Sequence, residues 1–169
     1  MSRYYPSYQY HIDDHEVFEA LDRFGTAATR FLVMGVGDVV QFVTATATSS
    51  KYMMTTPGGG ANKRLGMRTT RLARSIIGAA FFGVIGETGK VAPGSFDSIR
   101  ELTINGNTIT AKIGTLVPYA ATHEFGRGGF PKRAYLTPAL MEAENGIAQQ
   151  FFEQRLKQLE KHLSRGGGE

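Results

Sequence analysis

The chain has 169 residues and a formal net charge of +4; hydrophobic residues make up 41% and charged residues 20%. That is enough ordinary chain for one packed core, which excludes a wholly disordered protein and two full-sized domains. It has no cysteine, so disulfides, thiolate metal sites and thiol catalysis are excluded, and nothing points to an oxidising compartment.

Residues 1–12 form an arm rich in tyrosine, with Tyr4, Tyr5, Tyr8 and Tyr10 close together and few aliphatics. Such an arm has little to bury alone and is expected to lie against a neighbouring subunit. It also lacks the apolar core of a secretory signal.

Asp13 with Glu16 predicts a capped helix start. Val17, Leu21, Phe24, Ala28 and Phe31 continue it as one apolar stripe, and Val36, Val39, Phe42 and Val43 extend that stripe less cleanly. The pattern reads as one long helix, or two with a break near Gly25 or Gly35, ending near the β-branched run at 44–50. Phe31 to Ala47 is shorter than the roughly 20 residues that cross a bilayer and is interrupted by Asp38 and Gln41, so no membrane span is expected.

Between residues 39 and 86 there are six basic residues, Lys51, Lys63, Arg64, Arg68, Arg71 and Arg74, and no acid. A run of this kind either binds phosphate or meets an acidic surface on a neighbour. The second use, at an interface, is expected for most of Lys63, Arg64, Arg68, Arg71 and Arg74. Residues 51–66 read as a glycine-rich connector at 58–60; the spacing of a phosphate-binding loop fails there, since the second glycine and the hydroxyl are missing. A short helix is predicted from Thr69 to about Ile77, with Leu72, Ala73 and Ile76 inward and Arg71 and Arg74 outward. Ala79 to Ile85 reads equally as a strand or a buried helix end.

Asn105-Gly106 is a favoured two-residue hairpin link between residues 101–104 and 107–113. With that turn Ile104 pairs with Asn107 and Leu102 with Ile109, and Leu102, Ile104, Ile109, Ala111 and Ile113 share one face. Pro118 then opens about two helical turns, with Ala120, Ala121 and Phe125 inward, ended by a loop containing Gly126, Gly128 and Gly129. Thr137-Pro138 predicts the start of a last helix, with the Thr137 hydroxyl as its cap and proline in the first turn, about 27 residues and roughly 40 Å long, stopped by Gly166, Gly167 and Gly168.

The chemistry-bearing patterns fail one by one. His11 and His15 lack a nearby third ligand. His123-Glu124 begins a zinc-protease motif whose second histidine position holds Arg127. Ser75 and Ser98 lack the frame of a nucleophile elbow. No enzyme activity, cofactor or metal is expected.

Two segments carry more. In 64–77, Arg68, Thr69, Leu72, Ser75 and Ile76 follow the order Arg-Thr-Gly-x-Leu-x-x-Ser-Ile, with Thr70 in the glycine position. In 117–140, Tyr119, Ala120, Glu124, Phe125 and Gly126 precede a short loop, and Pro131, Arg133, Tyr135, Leu136, Pro138, Ala139 and Leu140 follow it. Together, with a hairpin between them, they resemble the tail-completion or neck proteins of tailed bacteriophages, a family related to the virion-morphogenesis proteins of Mu-like phages. The resemblance covers roughly residues 64–163. The turn, register and apolar patterns themselves predict an α+β fold, an antiparallel sheet with the 101–113 hairpin packed against long N- and C-terminal helices, in a single domain over 13–165. The resemblance implies a structural virion protein, assembled in the host cytoplasm and placed at the head–tail junction. There it forms a homo-oligomeric ring, expected as a hexamer, between head-connector and tail proteins, and DNA passes through without sequence recognition. A tail-terminator ring is the nearest alternative, and a basic nucleic-acid-binding protein is the alternative of another class. Arg127, Lys132 and Arg133, around the loop before the last helix, are the expected contacts for ring neighbours, together with the tyrosine arm and the basic run.

Overall fold

A computed structural model of the protein describes residues 7–12, 15–54, 65–66, 71–80, 97–105 and 108–166. The expected cap at Asp13, the glycine connector at 58–60, Tyr4, Tyr5, Lys63, Arg64 and Arg68 lie outside the described residues, as does most of the ambiguous stretch after Ala80.

The fold is α+β. Strand β1 (Ser7–Ile12) leads to helix α1 (His15–Thr48). Two-residue strands β2 (Met53–Met54) and β3 (Leu65–Gly66) pair in parallel. Helix α2 (Arg71–Ala80) precedes strands β4 (Ser98–Asn105) and β5 (Thr108–Thr115). Helix α3 (Ala120–Phe125), helix α4 (Leu136–Glu142), a π turn (Ala143–Ile147) and helix α5 (Ala148–Gly166) complete the chain. The main sheet has the order β1-β5-β4, antiparallel throughout.

Three features differ from what the sequence led us to expect. Residues 7–12 are not an arm without a place in their own fold: they form an edge strand of the sheet, with Tyr8 opposite Ile113 and Tyr10 opposite Ala111. The hairpin register is shifted by two, with Ile104 opposite Ile109 and Leu102 opposite Ala111. Side chains alternate with a period of two, so this shift leaves the same residues on the core face. Leu102, Ile109, Ala111 and Ile113 are buried, while Ile104, at the end of the hairpin where the two strands are joined, is exposed. The C-terminal helix is not continuous: Asn145 (ψ 44°) and Gly146 (φ 96°) leave the helical region and split it into α4 and α5.

Helix α1 breaks at Gly25 (φ 64°, ψ −149°) and runs unbroken through Gly35. Its buried side chains Leu32, Val36, Val39, Val43 and Ala47 recur every three or four residues and form the centre of the core. Ala28–Thr48 is helical over 21 residues and, by length and composition alone, apolar enough to cross a membrane. The sequence window ended too early because the helix extends beyond the most apolar stretch. In this fold the helix spends its apolar face on the core: α2 and β5 pack on one part of it and α5 runs along another.

Alpha2 buries Leu72, Ala73, Ile76 and Ala79 beneath the sheet and leaves Arg71 and Arg74 exposed, as the sequence pattern predicts. Its one buried polar residue is matched. Ser75 Oγ shares a hydrogen bond with Thr115 Oγ1 at 2.7 Å, and Ser98 Oγ donates to the Ser75 carbonyl at 2.6 Å. Thr115 Oγ1 also accepts from the Val117 amide. These hydroxyls pin α2 to one end of the sheet, where β5 leaves for α3.

The α1–α5 contact runs antiparallel. The ring of Phe31 faces His162 with centroids 6.0 Å apart, and Phe42 meets Phe151 edge-on at 6.2 Å. Arg155 donates from Nε and Nη2 to both oxygens of Asp38, at 2.6 and 2.8 Å. Past the end of α1, Lys51 and the Tyr52 hydroxyl both donate to Glu142 Oε1, at the end of α4. The lysine bond, then the tyrosine bond, hold the Glu142 carboxyl below its ordinary pKa.

Candidate assembly surface

The segment from Tyr119 to Leu140 is built around one carboxylate. Alpha3 follows Pro118 as expected, with Ala120 and Ala121 buried. The third inward residue is Glu124, fully buried, and not Phe125, which is exposed. Glu124 Oε2 accepts from the amides of Tyr135 and Leu136 at 3.0 and 3.2 Å. Its Oε1 accepts from the Thr137 amide at 2.8 Å and the Thr137 hydroxyl at 2.5 Å.

Those three amides belong to the first turn of α4, where backbone donors have no partner inside the helix. Alpha4 has Tyr135 at its N-cap and no side-chain cap of its own. Glu124 therefore caps α4 from another helix, and its negative charge faces the positive end of the helix dipole. The expected local cap by Thr137 is corrected accordingly: Thr137 lies inside the first turn and its hydroxyl donates to Glu124.

The loop between α3 and α4 is held at both ends. Gly126 ends α3 in the left-handed region (φ 70°), and the amides of Gly126 and Arg127 both reach the Thr122 carbonyl. A Cβ on Gly126 would meet Lys132 Cβ and N at 3.0 and 3.1 Å. The Arg133 amide donates to the His123 carbonyl at 2.8 Å and closes the loop. Between these ties the chain turns outward: Phe130 is 60% exposed, and Tyr119 and Phe125 are exposed as well.

The cations expected at this loop sit among those rings. Arg127 lies over the Phe125 ring at 5.3 Å, a cation–π distance. Arg127 and Lys132 are exposed and Arg133 is half-buried. Tyr119 packs edge-on against His123 with centroids 5.9 Å apart. Burial, and then the charge of Arg133, push the His123 imidazole below its ordinary pKa.

The other expected contact residues are not gathered here. Arg71 pairs within the chain, its Nε and Nη2 each 2.7 Å from Asp97 Oδ2. For this cation the carboxylate expected on a neighbour is its own. Arg74 is exposed on the outer side of α2. Tyr8 and Tyr10 belong to β1 at the sheet edge.

Sequence reasoning missed the cap and the aromatic rings of this surface. Both left traces. A helix starting at Leu136 has no Ser, Asp or Asn before it, so its donors need a remote acceptor. Phe130 lies between Gly128-Gly129 and Pro131, where no regular element can carry it inward. Among the described residues no group of three His, Asp or Glu is placed to hold a metal ion.

No family model, no curated protein and no solved structure matches this chain.

Proposed function

We propose that this chain is a structural virion protein of a tailed bacteriophage, a subunit of the neck or tail-completion ring at the head–tail junction. Copies of it join the connector to the tail and leave an axial channel for DNA. The work is assembly, and no bond is made or broken.

One observation carries this reading. The residues that resemble the family on either side of the 127–130 loop form one physical unit. Glu124 caps the helix that Leu136, Pro138 and Ala139 open, and Gly126 and Arg133 close the loop between them. The unit presents exposed rings and cations from a rigid base, which suits contact with another protein. The nucleic-acid reading loses support at Arg71, whose charge is already paired with Asp97.

Size-resolved mass measurement of the purified protein, followed by electron microscopy, tests the proposal. A discrete ring with an open lumen is expected, and the same ring at the head–tail junction of particles that carry this chain. A protein that stays monomeric, binds duplex DNA with steep salt dependence and is missing from particles would overturn it.

A further inference from the structure

The surface around the 126–133 loop carries a single sign of charge. Between Tyr119 and Met141 the sequence has Arg127, Lys132 and Arg133, and its one acid is Glu124. Glu124 is fully buried and spends both oxygens on the start of α4. Cations and rings are what reach solvent: Arg127, Lys132, Phe130, Phe125 and Tyr119 are all exposed. The loop keeps them together. Arg127 lies over the Phe125 ring, the Phe130 amide donates to the Arg127 carbonyl, and Lys132 sits against Gly126.

Such a patch is a poor partner for itself. Two copies meeting through it across a two-fold axis would set cation against cation. The other described side chains offer little to balance it. Asp38 holds Arg155, Asp97 holds Arg71, and Glu142 holds Lys51 and Tyr52. Glu101 lies 3.8 Å from Lys112, and Glu153 accepts from Gln149. Among the described side chains that leaves Glu144 and Glu160, one in the π turn and the other well along α5. Duplex DNA would answer the cations but not the rings: phosphate contacts are polar, and Phe130, 60% exposed, has no group to offer them. An apolar pocket rimmed by carboxylates answers both.

We infer that this loop seats in an acid-rimmed apolar pocket of a different protein, an adjoining member of the head–tail stack. Phe130 is the anchor, and Arg127 and Lys132 meet the carboxylates around it. The loop is already tied at Gly126, Arg133 and Glu124, so little freedom is lost on docking. The inference rests on the virion reading and specifies its contact with the next protein; the contacts between copies lie elsewhere on the chain.

Zero-length cross-linking tests it. Particles that carry this chain are treated with a water-soluble carbodiimide, which joins a lysine amine to a touching carboxylate as an amide, and their digested peptides are read by mass spectrometry. Lys132 should be linked to an Asp or Glu of another virion protein. The Lys51–Glu142 pair, in contact within the chain, shows that the reagent has worked. A variant with Arg127→Glu, Phe130→Ala and Lys132→Glu should keep the circular dichroism, melting and ring mass of the parent, while assembly with it stops before that protein joins.

A link from Lys132 to a second copy of this chain, or a folded variant that no longer forms the ring, overturns the inference and assigns the loop to the ring itself. A Lys51–Glu142 link with none from Lys132 overturns it as well. So does a variant that completes particles but loses affinity for single-stranded DNA, whose bases stack on exposed rings. If the variant melts early, the link in the parent decides. Particles without this chain overturn the virion reading, and this partner with it.

Discussion

Glu124 and Thr137, one on α3 and the other in the first turn of α4, meet through two hydrogen bonds, the Thr137 amide and hydroxyl both donating to Oε1. With the Tyr135 and Leu136 amides on Oε2, a single buried carboxylate satisfies four donors. Removing it leaves those donors buried without an acceptor, which costs more than the bonds themselves contribute. Glu124→Ala should lower the unfolding free energy by about 3 kcal/mol or more, and Glu124→Gln, which keeps the shape and an acceptor oxygen, by about 1–2 kcal/mol. Urea denaturation of the three proteins measures this. Equal losses for Ala and Gln would show that the charge, and not the number of acceptors, holds the junction.

Two glycines of α1, two residues apart, should respond in opposite directions. A Cβ on Gly35 would sit 2.7 and 2.8 Å from Cε1 and Cδ1 of Phe152, in the contact with α5. A Cβ on Gly37 meets nothing within 4 Å. Gly37→Ala should stabilise by about 0.5–1 kcal/mol, the gain of replacing glycine within a helix. Gly35→Ala brings the same gain but must displace the Phe152 ring, and overpacking of this kind costs about 1–3 kcal/mol. Thermal melting should place the Gly37 variant above the parent and the Gly35 variant below it. A rise for both would mean that α5 yields at Phe152 without cost.

The Asp38–Arg155 pair joins α1 to α5 near the same contact. It is bidentate, and its side chains are 23% and 21% exposed. The hydrogen bond from Arg155 to Asp38, helped by the attraction between the charges and opposed by burial, holds the guanidinium above its ordinary pKa. A double-mutant cycle with Asp38→Ala and Arg155→Met should give a coupling of about 1 kcal/mol, the upper range for partly exposed pairs. The coupling should persist in moderate salt better than that of Lys51–Glu142, whose lysine is far more exposed. A coupling near zero would assign the α1–α5 contact to its apolar side chains alone.

What was legible in the sequence was whatever repeats. The α1 stripe, the inward side of α2 and the core face of the hairpin all follow from apolar spacing. Single events were harder to see. Apolar alternation cannot tell two hairpin registers apart when they differ by two residues, and Gly106-Asn107 is as permissive a link as Asn105-Gly106. The break between α4 and α5 occurs at Asn145-Gly146, a turn dipeptide inside an apolar stripe that continues on both sides. The stripe masked it. The strand at Ser7–Ile12 was readable from the alternation of Tyr8, Tyr10 and Ile12 with Ser7, Gln9 and His11, but its pairing partner lies about a hundred residues away, beyond the reach of any local pattern. The Glu124 cap was hidden for the same reason: it joins two elements across a loop, and its identity as a buried acceptor is a property of the packed junction.

Burial, and then the positive charge of Arg133, favour the neutral imidazole of His123 in the folded state, so its pKa there lies below the ordinary 6.5. In the unfolded chain the same group takes up a proton near its ordinary pKa. As pH falls through about 6.5, the unfolded state therefore binds the proton first and gains stability relative to the native state. Native stability from this group is complete above that pH, declines below it, and levels off once the folded imidazole is protonated too. Protonation also places a second positive charge beside Arg133, at the base of the loop that carries Arg127 and Lys132. Replacing the imidazole by a neutral amide in His123→Gln removes this proton uptake while leaving the backbone carbonyl that accepts from the Arg133 amide. Urea midpoints measured for parent and variant at steps from about pH 7.5 to pH 5 should run parallel above about 6.5, with the parent falling more steeply below it. The difference between the two curves isolates His123 from the other titrating groups. Parallel curves over the whole range would mean that the folded imidazole takes its proton as readily as the unfolded one, and that neither burial nor Arg133 governs it.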